Sequence, residues 1–254
     1  MFRPCIVIPY YRHERAIGAL IERLRGFGLP CFLVDDGSGG AAAAVVRELA
    51  AREAGWLRLQ VLPRNQGKGV AVMSGCAAAA AEGYSHALQI DADGQHATAD
   101  VPRLLALARA APAAVVTGVP VYDASAPRVR IYGRYLTHAL VWLHTLSFEI
   151  RDSMCGFRVY PLAPLLALER AGGLGRRMDF DTDVLVRLHW TGVRVISMPT
   201  RVTYPADGVS HFDYLADNAR MARLHLRLFF GMLARLPRWG WRRLRGLPAR
   251  SAVA

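Results

Sequence analysis

Leu88-Gln89-Ile90-Asp91-Ala92-Asp93-Gly94-Gln95 is a short apolar run that ends in two carboxylates two positions apart. In extended backbone alternate side chains share a face, so Asp91 and Asp93 can converge on one cation. Two carboxylates make a hard, oxygen-rich site suited to Mg2+ or Mn2+. Gln95 continues that face and can add an amide oxygen. Two aspartates in a loop are common; here their place gives them meaning. Ala87–Ile90 reads as a strand, with an alanine-rich helix before it at Gly69–Glu82 and another helix after it at Val101–Arg109. Upstream, strand-like runs at Cys5–Pro9, Cys31–Val34 and Leu57–Leu62 alternate with helical periodicity at Arg15–Gly26 and Ala41–Ala54. Downstream, Ala113–Gly118 reads as a further strand. This rhythm predicts an α/β domain with a mostly parallel sheet flanked by helices and a ligand site at the C-terminal strand ends.

The second half is less regular. Tyr132–Phe148 is a largely apolar helix, and Asp152–Tyr160 a loop entering a strand. Asp181–Thr191 is a helix and Arg194–Ser197 a strand. From Tyr214 the chain is helical and arginine-studded, interrupted at Pro237 and Gly240.

Other strand ends also carry polar chemistry. Asp35-Asp36-Gly37-Ser38 follows the second strand. Gly37 permits a tight turn, and a carboxylate there can accept hydrogen bonds from a base or ribose; an ordinary turn capped by Ser38 is the alternative. Ile8-Pro9-Tyr10-Tyr11 closes the first strand, where a tyrosine either stacks on a base or packs. Arg64-Asn65-Gln66-Gly67-Lys68-Gly69 lacks P-loop spacing. Its glycines still allow close backbone approach, and Lys68, the only lysine among 32 basic residues, can reach a phosphate.

Composition narrows the class. The chain has 254 residues, 53% of them hydrophobic and 20% charged, which excludes a disordered or collagen-like protein. The net charge is +12, unevenly placed: residues 1–217 hold all 20 acids and 23 bases, whereas 218–254 hold nine arginines and no acid. A nucleic-acid partner is not expected, because its binder usually spreads basic residues along a recognition surface. A basic tail mixed with Leu, Phe and Trp suits an anionic membrane surface; a solvated helix is the plainer reading. Cys5, Cys31, Cys76 and Cys155 form no CxxC pair, so zinc is not expected. Neither a signal peptide nor an apolar run of about 18 residues is seen. The expectation is a cytoplasmic protein, peripheral on the inner face of the membrane.

Together these stretches resemble the family 2 glycosyltransferases of the GT-A fold. Val7-Ile8-Pro9-Tyr10-Tyr11-Arg12-His13-Glu14 is similar to the family's opening pattern, with Arg12 where an asparagine is usual. Asp35-Asp36-Gly37-Ser38 matches its DDGS, and Asn65-Gln66-Gly67-Lys68-Gly69 its N-x-G-K/R-G. Asp91-Ala92-Asp93-Gly94-Gln95 looks like the DADxQ of the polyprenyl-phosphate sugar transferase branch. Asp152-Ser153-Met154-Cys155-Gly156-Phe157-Arg158 is similar to its D-x-x-x-G-F-R. The resemblance implies a Rossmann-like GT-A domain over residues 1–212 and a basic amphipathic helical tail over 213–254. It implies a nucleotide held by Pro9, Tyr11, Glu14, Asp36, Lys68 and Asp91, and Mg2+ or Mn2+ held by Asp91, Asp93 and Gln95. Asp152 would be a catalytic or acceptor-side carboxylate, and Asp181 or Asp183, rather than Asp179, an acid on the following helix. Arg158, Arg201, Ser210 and His211 would face the acceptor or a phosphate, with a structural salt bridge the rival reading for Arg158.

The implied partners are a UDP- or GDP-sugar donor, a lipid-linked acceptor such as polyprenyl phosphate, and an anionic membrane surface. The implied reaction is inverting transfer of the sugar. Three rival readings stand beside it. A haloacid-dehalogenase phosphatase needs Thr or Ser where Gln95 stands. A sugar-phosphate nucleotidyltransferase needs a Gly-rich, basic signature after the first strand, which Tyr10–Glu14 lacks. A non-catalytic nucleotide-sugar binder or membrane adaptor is favoured by the departures at Arg12 and His211, and turnover that depends on Asp93 separates it from an enzyme.

Overall fold

The computed structural model describes residues 1–122, 128–203 and 214–237. The elements run β1 (Pro4–Tyr10), α1 (Glu14–Arg25), β2 (Cys31–Asp35), α2 (Gly40–Arg52), β3 (Leu57–Val61), α3 (Lys68–Ala81) and β4 (His86–Gln89). A short 3-10 turn then leads into α4 (Val101–Ala110), β5 (Val115–Tyr122), α5 (Arg128–Thr145), β6 (Arg158–Pro161), α6 (Leu162–Arg170), α7 (Phe180–Trp190), β7 (Val195–Val202) and α8 (Tyr214–Leu233).

The strands form one seven-stranded sheet in the order β3-β2-β1-β4-β6-β5-β7. Every pairing is parallel except those of β6, which runs antiparallel to both β4 and β5. The sheet is therefore mostly parallel, as the sequence rhythm predicts. From Cys5 to Tyr10 β1 is buried throughout. A strand covered on both faces reads as a continuous apolar run. One face packs on α1, α2 and α4 through residues such as Leu20, Val46 and Leu104. The other packs on α3, α5, α6, α7 and α8 through Val72, Val141, Leu165, Val184 and Leu224.

Winding starts at β1, steps outward to β2 and β3, and then returns to β4 on the other side of β1. That reversal opens a crevice at the C-terminal ends of β1 and β4. The small residues of α3 serve this crevice: a Cβ on Gly75 would lie 2.7 Å from Val7 Cγ1. The helix thus lies close on the sheet and carries Lys68, its first residue, to the strand ends.

The second half departs from expectation in two places. α6 has no periodic signal of its own in the sequence, because Pro161 and Pro164 punctuate it; Pro164 sits in the first turn, where no intrahelical N–H is needed. β5 and β7 run past the expected ends at Gly118 and Ser197 and stay paired to Tyr122 and Val202. A Cβ on Gly118 would meet Thr200 Cγ2 at 2.7 Å, so this glycine marks close strand contact rather than a turn.

The basic C-terminal segment is part of the body at its start. Leu224, Leu228 and Met232 of α8 are buried. Arg227 Nη2 lies 2.6 Å from Asp183 Oδ2 on α7. Gly231 packs on Trp190 so closely that a Cβ would come within 2.8 Å of its ring. Residues 238–254, the end of the expected tail, lie outside the described residues. A chain ended at Asp217 is expected to lose on the order of 5 kcal/mol, because three aliphatic side chains leave the core. Denaturant unfolding of this chain beside the full chain checks this, and equal stabilities would refute it.

α8 also meets α5 through a histidine pair, with His144 Nε2 3.1 Å from His225 Nδ1. Burial, then the neighbouring His225, pushes the His144 pKa down to about 4; burial lowers that of His225. A histidine held neutral in the fold takes up its proton more readily once unfolded. Its contribution is therefore present above the unfolded value of 6.5 and is lost as pH falls toward 4. The melting temperature is expected to drop between pH 6.5 and 4, and a His144→Leu/His225→Leu variant to drop less.

Candidate active site

Asp91 follows β4 and sits at the centre of the crevice. Lys68 Nζ lies 2.8 Å from each of its carboxylate oxygens and 2.6 Å from Asp181 Oδ2. The lysine therefore bridges the end of β4 to the start of α7. Gln89 Nε2, on the last residue of β4, donates to Asp181 Oδ1 at 3.2 Å. Burial works against the lysine's charge, but Asp181 and Asp91 outweigh it and hold its pKa above the ordinary lysine value. Burial likewise works against Asp91, but Lys68 and His96 hold its carboxyl well below the usual range. His96 Nε2 is 3.9 Å from Asp91 Oδ2, and its ring stacks on Phe157. Beneath the carboxylate lies Gly156, where a Cβ would come within 2.1 Å of Asp91 Oδ2. The glycine makes the space that Asp91 occupies.

Asp93 turns into the following loop, where its Oδ1 accepts the Gln95 N–H at 3.0 Å. Gly94 between them has φ 73°, which a glycine adopts without strain. Asp91 Oδ1 is buried and lies 2.8 Å from Lys68 Nζ, without an aligned hydrogen bond. The Asp91 carboxylate, with Asp93 two residues on, is a hard oxygen donor set of the kind that suits a divalent cation, which would share it with Lys68. Among the described residues no group of three or more His, Cys, Asp and Glu side chains forms a complete cage. Any such ion would have to draw further ligands from a bound substrate.

Asp36 accepts from the N–H groups of Gln66 and Gly67, both at 2.7 Å. Burial raises its pKa; the two N–H groups and Arg177 partly offset this. Gly37 has φ 68°, and a Cβ there would strike the Arg64 backbone at 2.4 Å. The turn after β2 and the loop after β3 thus meet at a glycine that no other residue replaces. Pro9 is buried in β1 opposite Val34, and Tyr11 lies just beyond the strand with the Arg12 guanidinium over its ring. Arg12 has φ 52°, a left-handed conformation that asparagine adopts more readily than arginine. Glu14 begins α1 and is exposed.

Asp152 forms a separate cluster. It pairs with Arg134 Nε and Nη2, accepts from the N–H groups of Met154 and Cys155 at 2.9 Å, and lies 3.1 Å from His138 Nε2. Burial opposes its charge, but His138 and Arg134 hold its carboxyl well below the usual range. Sequence reasoning missed Arg134, His138 and His96, and gave Gly156 no role beyond its place in the motif. The i, i+4 spacing of Arg134 and His138 on one helix face was the available signal.

The remaining expected residues are dispersed. Arg158 is fully buried, donating to Ser153 O, Asp181 O and Tyr160 OH at 2.6, 2.7 and 3.1 Å. It supports Asp181 from behind and faces no open space. Asp183 accepts from Gly175 N–H and Arg227, off the strand ends, and burial raises its pKa. Asp179 accepts the Arg177 N–H at the start of α7. Arg201 is exposed on β7. Ser210 and His211 lie outside the described residues. The structure thus joins Lys68, Asp91 and Asp181, keeps Asp36 and Asp152 as neighbouring clusters, and turns Arg158 and Asp183 to support.

This arrangement coincides with a match of the glycosyl transferase family 2 sequence profile to residues 5–163, more than half of the chain. The chain belongs to glycosyl transferase family 2. Among relatives of the family, polyprenol monophosphomannose synthase of Mycolicibacterium smegmatis is 26% identical over 221 residues, covering 82% of this chain and 80% of that protein. Undecaprenyl-phosphate 4-deoxy-4-formamido-L-arabinose transferase of Pectobacterium carotovorum is 34% identical over 106 residues, 39% of this chain and 32% of that one. The solved glucosyl-3-phosphoglycerate synthase of Mycobacterium tuberculosis superposes with a TM-score of 0.64 at 16% identity, over 91% of this chain and 80% of that one. It has also been solved with Mn2+, UDP-glucose and phosphoglyceric acid. At such identity the likeness shows the GT-A fold, and the family shows a transferase. No described helix is long and apolar enough to cross a membrane.

Proposed function

We propose that this chain transfers a sugar from a UDP- or GDP-sugar to a lipid-linked phosphate acceptor such as polyprenyl phosphate, with inversion at the anomeric carbon. The observation that carries this reading is the crevice at the switch point, where Lys68 and the carboxylates of Asp91 and Asp181 meet. Asp36 and the Pro9–Tyr11 segment with Glu14 hold the nucleoside, and Lys68 lies where it can turn toward a diphosphate oxygen. Asp91, Asp93 and Gln95 hold Mg2+ or Mn2+. When bound, the cation neutralises charge developing on the leaving diphosphate. Asp152 and Arg134 with Arg201, Ser210 and His211 belong to the acceptor side, and Arg158 and Asp183 act through their neighbours.

The electrostatics favour a phosphate acceptor over a hydroxyl. A hydroxyl nucleophile needs a carboxylate to take its proton. Asp152 is a poor proton acceptor, because Arg134 and His138 hold it ionised, and Asp181 is committed to Lys68. A lipid phosphate arrives already ionised and needs no base.

Residues 1–212 carry the chemistry, and the segment from 213 onward brings them to an anionic membrane on the cytoplasmic side. Support comes from the outward faces of α5 and α8, where Tyr135, Leu136, Leu226 and Phe230 are each at least 60% exposed. The test is nucleotide release from a panel of UDP- and GDP-sugars with Mn2+, Mg2+ or EDTA, with and without membrane lipid extract. Release that needs metal, lipid and Asp93 is expected. Release that survives Asp93→Ala would overturn the metal assignment, and nucleotide binding without any turnover would favour a non-catalytic binder.

A further inference from the structure

A cleft of about 510 Å3 opens between the loop after β3, the 174–179 segment and α8. Arg64, Arg176, Arg177, Arg220 and Arg227 line it, and Asp179 is the one carboxylate among its described lining residues. Asp179 Oδ1 already accepts the Arg177 N–H at 3.0 Å. Neutral amide oxygens hold two of the guanidinium groups: Arg177 Nη1 donates to Asn65 Oδ1 at 2.8 Å, and Arg176 Nη2 to Gln66 Oε1 at 3.3 Å. These contacts fix the arginines without neutralising them. Arg220 and Arg227 reach to Asp217 and Asp183 at the edge. Two of the five guanidinium groups are thus paired, and Arg64, Arg176 and Arg177 face the volume with Asp179 the one carboxylate among its described lining residues, an arrangement that an anion stabilises. The planar arginine fork matches phosphate oxygens in pairs.

None of Asp36, Lys68, Asp91 and Asp93 lines this cleft. It still abuts the crevice through backbone. Gly69 N–H donates to Arg176 O at 2.9 Å, and a Cβ on Gly67 would strike that same oxygen at 2.4 Å. We propose that the cleft is a second phosphate-binding site, separate from the Asp91–Asp93 strand end, that takes a phosphomonoester or diphosphate group. The group comes either from a soluble compound or from a lipid headgroup. The proposal stands whether or not the chain transfers sugar.

The test uses the full chain in EDTA, so that any divalent-metal site at the strand end is silent. Pyrophosphate is titrated by calorimetry. Separately, the protein is sedimented with phosphatidylcholine vesicles with or without phosphatidic acid. The variant Arg64→Gln/Arg176→Gln is compared with Arg47→Gln/Arg170→Gln, which removes the same charge from exposed positions on α2 and α6. The cleft variant is expected to bind about tenfold or more weakly, while the control stays close to wild type. Loss in the pyrophosphate titration assigns a soluble ligand; loss with phosphatidic acid vesicles alone assigns a lipid headgroup. Equal loss in both variants, or no wild-type binding to either probe, would overturn the proposal. Displacement of pyrophosphate by UDP or GDP in EDTA would also overturn it, by placing the donor in the cleft.

Discussion

Gly156→Ala is expected to cut glycosyl transfer by about a hundredfold or more while leaving the far-UV circular dichroism unchanged. The new methyl carbon would lie 2.1 to 2.4 Å from all three atoms of the Asp91 carboxyl group. Carbon and oxygen atoms do not approach so closely, so the carboxylate must swing away. Doing so breaks the contact with Lys68 at 2.8 Å and shifts whatever Asp91 holds. The neighbouring backbone cannot yield easily, because Gly118 N–H is bonded to Phe157 O and Phe157 is fully buried. Steady-state release assays on the purified variant check this. Wild-type turnover in Gly156→Ala would mean that the position of Asp91 is immaterial to the reaction.

Asp181→Asn is expected to cost about 3 kcal/mol of stability and to reduce transfer by roughly a hundredfold. Both carboxylate oxygens of Asp181 accept: Oδ2 from Lys68 Nζ and Oδ1 from Gln89 Nε2. An asparagine offers one acceptor, so its NH2 group must face one of these two donors. Lys68 would then keep Asp91 as its only anion in a nearly closed environment. Breaking one half of such a pair costs more than the pair contributes, because the remaining charge is left without compensation. Urea unfolding and the release assay read the two effects separately. Asp181→Ala should destabilise to a similar degree, since it removes the same anion. An Asp181→Asn protein as stable as wild type would show that Lys68 needs only one carboxylate.

Much of this site was legible in the sequence because its polar residues sit at strand ends. β1, β2 and β4 are buried on both sides, so Asp35-Asp36 and Asp91 stand out as abrupt stops in apolar runs. The glycine at 37 was legible for the same reason, since a tight turn needs it. What was not legible is what those residues touch. Lys68 and Asp181 are 113 positions apart, and no local periodicity relates them. The sequence offered Asp181 and Asp183 as equals; the helix turns one toward Lys68 and the other toward Gly175 and Arg227. Arg158 looked like a phosphate ligand by its motif, and only its complete burial beneath Asp181 O marks it as a support. The basic C-terminal segment read as an appendage because charge dominates its composition. The three buried side chains on one stripe of α8 override that impression.

The single lysine has a practical consequence. A protease that cuts only after lysine has one possible target in the whole sequence, the Lys68–Gly69 bond. That bond opens α3, and Gly69 beside it is buried, with its N–H held by Arg176 O. Digestion should therefore produce two fragments or none, and only from molecules in which the start of α3 has come away from the 174–179 segment. The rate of that one cut counts those openings directly, and a bound donor should slow it in proportion to its occupancy.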